Sequence, residues 1–493
     1  MRIPRRNCAI WLTTVLITVF SVALSLQIRS PVCTDSGSLF CRLYHYIGFY
    51  NLAWRLEKLT LLIKTERGFL PTAEKSDVFS HPVLWMAPFL SSGGYCSEAL
   101  SYIVGMSKSG LVPYLHVEHH GDLAQEIFWR GLPADIKDII IKSYKPERPL
   151  NNTIVICHSE PGAWYPSLFE THTCPPTGYE EPLHVIGRTM FETDRVNLEH
   201  VKRCNRMEEV WVPSDFNMKT FADSGVDPSK LVKVVQSVDV SFFSPHDVEA
   251  FPLPETGQVF ALEKEESDRT SIIDHFIFLS IFKWEYRKGW HLLIKAYLRE
   301  FSAKDRVALY ILTNAYHTDR TYRDDIIAYV KEIGLKKPVH GWPLLYVNDY
   351  HIPQLRLPNI YKAANAFVLP SRGEGWGRPH VEAMSMGLPV IATNWSGMTE
   401  YMTETNSYPI YVERLVEVEE GPFKGHLWAE PSATHLQSLM RHVFMNPLEA
   451  EAKGQLARKT MVEKYSPEIV TKQIVGHLMR IHSKKTAKCS TDA

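Results

Sequence analysis

Residues 366–397 read AFVLPSRGEGWGRPHVEAMSMGLPVIATNWSG, and this stretch limits the fold more than any other. A short apolar run ending at Pro370 reads as a buried strand. Gly373, Gly375 and Gly377 follow in a loop with little side chain to keep a ligand from the backbone. Pro379 opens a helix, where its missing N–H costs least, and Gly387 closes it. LPVIATN is the next strand. Strand, Gly-rich loop, helix and strand in that order make a parallel βαβ unit. The helix start, residues 377–380, leaves free N–H groups and the positive end of the dipole toward a ligand, an anion site that suits a diphosphate. In open α/β sheets, ligands bind beyond the carboxyl ends of the strands, where this loop lies.

The same alternation fills most of the chain in two blocks. In residues 81–245, PVLWMAPF, LVPYLHVE, NTIVICHSE, MEEVWVPS and KLVKVVQSVDV read as strands. The turn SSGGY and the helices at residues 96–109 and DFNMKTFADSG separate some of them. Residues 246–270 carry prolines and a charged run and read as a linker. Residues 271–475 repeat the pattern from FIFLSIFKW through VALYILTN, AFVLP and LPVIATN to the helix SPEIVTKQIVGHLMRIHSKK, and residues 476–493 read as a tail. The fold class is α/β, with two Rossmann-like doubly wound domains facing a cleft.

Ahead of these blocks, residues 9–28 (AIWLTTVLITVFSVALSLQI) hold no charge and suffice to span a ~30 Å hydrocarbon core. Arg2, Arg5 and Arg6 precede the run, so residues 1–8 read as a cytosolic tail and residues 9–28 as an uncleaved signal anchor. A cleaved signal peptide would carry a shorter apolar region. Residues 29–80 read as a stem with helical apolar spacing. The chain is then a single-pass type II membrane protein with its body in the lumen of the Golgi or endoplasmic reticulum.

Lys+Arg 54 against Asp+Glu 55 gives a net charge of −1, so no basic field exists to hold nucleic acid. Eight cysteines are too few for a disulfide framework. Cys33 and Cys41 are close enough in sequence to pair, and Cys157, in an apolar run, reads as a buried thiol. Asn151 and Asn394 begin glycosylation sequons. His116, His119, His120 and Asp122 read as a strand end with surface histidines rather than a metal site, and no metal site is expected.

Two carboxylates, Glu374 and Glu382, bracket the glycine loop. Glu382, near the start of the helix, suits vicinal hydroxyls such as those of ribose, and Glu374 suits a sugar hydroxyl. With Gly375, Gly377, Pro379, Ala383, Gly387, Pro389, Val390, Gly397 and Glu400, this pattern resembles the E-x7-E signature of the retaining glycosyltransferases of family 4, which have the GT-B fold. Trp376 replaces the more frequent Phe, and Arg378 stands where the family commonly has an apolar residue.

FIFLSIFKWEYRKGWHLLIKAY resembles the family's donor-phosphate strand, loop and helix. There Lys283 and Lys288 match the cations that grip the diphosphate, with Arg287 as an alternative, and Phe282 stands where Gly is usual. SSGGYCSEAL resembles the first glycine loop, so Gly93 and Gly94 approach the donor phosphate or the acceptor across the cleft. Many members carry a His near the position of His158 that contacts the reacting sugar, and Glu160 lies beside it. Arg188, Glu192 and Asp194 form a charged cluster that either binds acceptor or is an internal ion-pair network.

The resemblance implies transfer of a glycosyl group, hexosyl or related, from a nucleotide sugar with retention of configuration. The donor would lie mainly on the second domain and the acceptor, a glycan, glycolipid or glycoprotein, mainly on the first. Glu374, His158 and Lys288 are the catalytic candidates. Lys283, Lys288, Gly375, Trp376, Gly377, Arg378, Glu382, Gly93 and Gly94 are the donor-binding candidates. No D-x-D sequence occurs, in keeping with metal-independent phosphate binding and no cofactor beyond the donor. A catalytically inactive nucleotide-sugar-binding protein of the same fold is the alternative. A dinucleotide oxidoreductase would need G-x-G-x-x-G after a strand, which neither SSGGY nor GEGWG supplies.

Overall fold

The short apolar runs fold as strands buried on both faces, as parallel sheets covered by helices require. In the computed structural model, which describes residues 78–491 apart from 145–148, 247, 261–271, 316–320 and 351, they build two sheets. The tail, anchor and stem expected before residue 78 lie outside the described residues, as do Cys8, Cys33 and Cys41. Among the described residues no helix is long and apolar enough to cross a membrane.

The first sheet holds β1 (Val83–Ala87), β2 (Leu115–His119), β3 (Ile154–His158), β4 (His184–Arg188), β5 (Glu209–Val212) and β6 (Leu231–Lys233). Its order is β2-β1-β3-β4-β5-β6, with every pairing parallel. The second holds β7 (Phe276–Trp284), β8 (Val307–Ala315), β9 (Leu344–Asn348), β10 (Ala366–Leu369), β11 (Val390–Thr393) and β12 (Tyr408–Ile410). Its order is β12-β11-β10-β7-β8-β9, again parallel throughout. The chain reverses direction across each sheet at one place, between β1 and β3 in the first and between β7 and β10 in the second. Strand-end loops diverge at such switch points and leave a crevice for a ligand. These are the two Rossmann-like domains of a GT-B-like fold, and residues from Lys75 onward form one compact unit.

The last helix, Pro467–Thr491, runs back onto the first lobe. Val470, Ile474, Leu478 and Ile481 recur at helical spacing and bury into the core that includes Ala99 and Ile103 of helix Gly94–Ser109. Residues 476–481, expected in a tail, therefore belong to the packed body. Arg480 clamps the contact by donating to both carboxylate oxygens of Glu209, at 2.7 and 2.8 Å.

Cys157 is not a free thiol as its apolar setting suggested, for it is disulfide-bonded to Cys174. Cys174 lies in an irregular segment that forms an isolated bridge with Trp164, so the pairing is made by the fold and not by sequence spacing. Cys96 and Cys204 are buried and free.

Candidate functional site

The loop after β7 and the loop after β10 meet at the second switch point. Gly289 makes this meeting possible. Its φ is +70°, and an added Cβ would lie 2.1 Å from the carbonyl oxygen of Pro370. With no side chain there, the Arg372 amide donates to the Arg287 carbonyl at 2.7 Å.

Lys288 then reaches Glu374, its ammonium 2.7 and 2.9 Å from the two carboxylate oxygens. Arg287 donates to the Gly373 carbonyl at 2.6 Å and approaches Glu374 at 3.3 Å, Glu285 at 2.8 Å and Glu192 of the first lobe at 3.4 Å. Burial alone would raise the pKa of Glu374, but Lys288 and then Arg287 hold it at about 2, so the group is a carboxylate. Burial lowers the pKa of Lys283, which lines the same cleft. Arg372 is wholly buried beneath this loop and fixes it. It donates to the Tyr286 carbonyl at 2.9 Å and to Glu430 at 2.6 Å, and its guanidinium lies 4.0 Å from the Tyr286 ring centroid.

The glycine loop lies against the first lobe as well. A Cβ on Gly375 would lie 2.8 Å from the Met190 side chain, so no larger residue fits the present spacing. Gly377 takes a left-handed φ of +96° and caps helix Arg378–Ser385, whose start lies at the cleft wall formed by Gly377, Arg378 and Pro379; Pro379 has no N–H, and the His380 and Val381 amides donate to the Gly377 carbonyl at 3.0 and 3.2 Å. The helix begins one residue earlier than Pro379 suggested. Trp376 lines the cleft but is 2% exposed, with its ring 5.1 Å from that of Tyr401.

Glu382 differs from expectation. The Arg378 guanidinium donates to the Ser237 carbonyl at 2.6 Å and lies 3.9 Å from Glu382. Glu382 accepts from the Tyr361 hydroxyl at 3.0 Å, and burial raises its pKa. Arg378 lines the cleft and Glu382 does not.

Across the cleft, Gly93, Gly94, Tyr95 and Asp122 line the first-lobe wall. His158 does not reach that wall. It is wholly buried and accepts at Nδ1 from the Trp85 indole at 3.0 Å. Its Nε2 therefore carries the proton and faces Glu98 at 3.1 Å. Burial lowers the His158 pKa, which keeps the ring neutral. The Tyr95 ring, which lines the cleft, packs T-shaped against His158 with centroids 5.8 Å apart.

Arg188 belongs to the same buried cluster, donating to Glu98 and to the Tyr102 hydroxyl. Burial opposes the charge on Glu98, yet Arg188 and His158 hold its pKa at about 2. Of the charged run in this lobe, Arg188 is thus an internal ion pair. Glu192 lines the cleft, and Asp194 joins the lobes by accepting from the Leu427 amide at 2.6 Å. Glu160 is absent from the cleft wall, and burial raises its pKa. His120 is buried between the His172 carbonyl and the Ser159 hydroxyl, not at the surface. Among the described residues no group of three or more His, Cys, Asp or Glu is placed to hold a metal.

The structure therefore brings Gly93, Gly94, Lys283, Lys288, Glu374, Gly375, Trp376, Gly377 and Arg378 into one cleft of about 830 Å³. It holds Glu382 and His158 one layer behind the wall. Tyr95, Asp122, Gln236 and Asp349 also line the cleft and carried no sequence signal as a set. Topology alone assembles them, since each follows or precedes a different strand end.

Residues 274–417 match the family model of glycosyl transferases group 1. The O-antigen chain mannosyltransferase B of Escherichia coli is 34% identical over 116 residues, which is 24% of this chain and 28% of that protein. A D-inositol 3-phosphate glycosyltransferase of Segniliparus rotundus is 26% identical over 172 residues, 35% of this chain and 33% of that protein. The matched part thus spans about a third or less of these relatives. Among solved structures, Anabaena HepE in complex with UDP and glucose aligns over 81% of this chain and 100% of its own, with a TM-score of 0.54 at 12% identity. A glycosyltransferase from Rickettsia africae aligns over 82% and 98%, with a TM-score of 0.52 at 17% identity. At these identities the likeness is one of fold.

Proposed function

We propose that this chain, whose second lobe matches the group 1 glycosyl transferases, is a glycosyltransferase that moves a sugar from a nucleotide-sugar donor to a glycan, glycolipid or glycoprotein acceptor with retention of configuration. The observation that carries the reading is the contact of Lys288 and Arg287 with an ionised Glu374 at the switch point, beside the start of helix Arg378–Ser385. In the reaction the bond from the sugar C1 to the diphosphate oxygen breaks, and an acceptor hydroxyl forms the new bond to C1 and passes its proton to the departing diphosphate. The leaving diphosphate gathers negative charge. Lys283, Arg287, Lys288 and the positive end of helix Arg378–Ser385 are set around that charge, which is where preorganised electrostatics lowers a barrier.

Glu374 only accepts hydrogen bonds and so suits hydroxyls of the donor sugar. Lys288 exchanges part of its hold on Glu374 for the phosphate when donor binds. His158 acts from behind Tyr95 as a positioning group, and Glu382 meets ribose only after Arg378 moves aside. Because side-chain cations neutralise the diphosphate, transfer needs no metal. The acceptor enters along Gly93, Gly94 and Asp122.

For its setting, we read residues 9–28 as a type II anchor holding the body in the Golgi or endoplasmic reticulum lumen. The Cys157–Cys174 disulfide supports an oxidising compartment. The test of function is release of nucleoside diphosphate from a panel of nucleotide sugars, with nuclear magnetic resonance of the product anomer. Lys288→Ala is expected to abolish release while the protein stays folded. A wild-type protein that turns over no donor with any acceptor refutes the proposal.

A further inference from the structure

The cleft continues beyond the diphosphate site along the carboxyl edge of the second sheet. The order β10-β7-β8-β9 sets the end of β9 about 10 Å past the end of β7, at roughly 4.8 Å per strand. With the diphosphate between β7 and β10 and the sugar against Glu374, the β8 and β9 ends are left for the nucleoside. There Leu312 and Ile352, with Ile281 and Phe282 of the adjoining β7, give the cleft apolar walls, and Thr313 and Asp349 give it a polar edge. The Thr313 hydroxyl is buried and has no hydrogen-bond partner in the protein.

A flat base between apolar walls is distinguished by what its edge donates and accepts. A carboxylate only accepts. Guanine presents N1–H and its 2-amino group side by side, and both can donate to one carboxylate. Uracil presents a single N–H flanked by two carbonyl oxygens, which a carboxylate repels. Adenine presents an amino group beside a ring nitrogen that only accepts.

We propose that Asp349 reads the edge of a guanine base, so that the donor is a guanosine-diphosphate sugar. This rests on the nucleotide-sugar reading above and goes beyond it by naming the base. The rival role for Asp349, accepting from ribose hydroxyls, would serve every nucleotide alike, and the test separates the two.

The full-length protein is titrated calorimetrically with GDP, IDP, UDP and ADP. GDP is expected to bind at least about tenfold more tightly than UDP or ADP, a difference of about 1.4 kcal/mol. IDP, which lacks the 2-amino group, falls between. In Asp349→Asn the amide carbonyl still accepts from N1–H, but its NH2 now faces the 2-amino group of guanine. That variant is expected to lose about tenfold on GDP, to leave UDP unchanged, and to gain affinity for xanthosine diphosphate, whose 2-oxo group accepts from the new amide. UDP or ADP binding as tightly as GDP overturns the base assignment and leaves the function reading intact. Equal weakening of all nucleotides by Asp349→Asn overturns it in favour of ribose contact, and an unchanged GDP affinity in the variant also overturns it. A folded wild-type protein that binds none of the diphosphates overturns both readings.

Discussion

Replacing Gly289 with Ala tests whether one glycine sets the spacing of the site. A residue with a side chain in the left-handed region costs roughly 1–2 kcal/mol. The added methyl would also lie 2.1 Å from the Pro370 oxygen, whereas a carbon–oxygen contact rests at about 3.3 Å. The two loops must part by about 1 Å to restore that distance. Lys288 directly precedes Gly289, and Pro370 leads into residues 373–377, so the separation is transmitted to the Lys288–Glu374 contact. At 2.7 and 2.9 Å that contact leaves no slack, and 1 Å more takes it out of hydrogen-bond range. Misplacement of this size in a preorganised site costs about 100-fold.

The assay is calorimetric titration with a nucleoside diphosphate beside thermal unfolding. Gly289→Ala is expected to weaken binding about 10- to 100-fold and to lower Tm by several degrees. Gly334 supplies the control. Its φ is +63°, nothing lies within 4 Å of its added Cβ, and it is not in the cleft wall. Gly334→Ala should lower Tm through the left-handed cost alone and leave nucleotide affinity unchanged. If Gly289→Ala binds as the wild type does, or if both variants lose the same affinity, the glycine does not set the loop spacing.

Glu98→Gln removes the counter-charge of a guanidinium that is 1% exposed, so stability in denaturant titration should fall by about 3–5 kcal/mol. Glu374 and Glu98 are each held at about 2, below the ordinary 4.5. Their stabilisation is therefore fully present above pH 4.5 and is lost as pH falls toward 2, which circular dichroism during acid titration would follow. Lys288→Met leaves Glu374 buried with only Arg287 as close counter-charge, so its pKa should rise and the acid-unfolding midpoint should move to higher pH. Chelation with EDTA is expected to leave nucleoside diphosphate release unchanged, and loss of turnover restored by a divalent cation would contradict the side-chain account of diphosphate binding.

The fold was legible where burial left an unbroken apolar run and obscure where it did not. β3 and β10 stand out because every residue is apolar or nearly so. β4, HVIGR, mixes His, Gly and Arg, yet all five positions are buried. Its Gly187 is needed because an added Cβ would lie 2.4 Å from the Trp164 ring, and Arg188 is tolerated because Glu98 neutralises it. Neither reason can be read along the chain. β9, LLYVN, is bounded by turn residues, Gly341 and Pro343 before it and Asp349 and Pro353 after it, but five residues are too few for periodicity to tell a strand from a buried helical turn. The reverse error occurs at KLVKVVQSVDV, which reads as one long strand but pairs only over Leu231–Lys233. The remaining apolar residues are buried because the chain crosses there between the lobes, and that crossing sets Gln236 into the cleft.

Within the site, sequence spacing identified the loop but not which side chains face the ligand. Arg378 and Glu382 are four residues apart on one helix and so share a face, which places the guanidinium over the carboxylate at 3.9 Å. An apolar residue at position 378 has no charge with which to hold that place. The Tyr361 hydroxyl donates to the same carboxylate at 3.0 Å, so Glu382 has partners on two sides. His158 is withdrawn by a different agent. The Glu98 carboxylate that holds its Nε2 is itself fixed by Arg188, and the Tyr95 ring packs against the imidazole, so His158 is fully enclosed. His158 ends β3 and Glu382 lies in the second turn of its helix. What moved them back one layer is the charge on a neighbour, and a neighbour across strands is visible only once the sheet order is known.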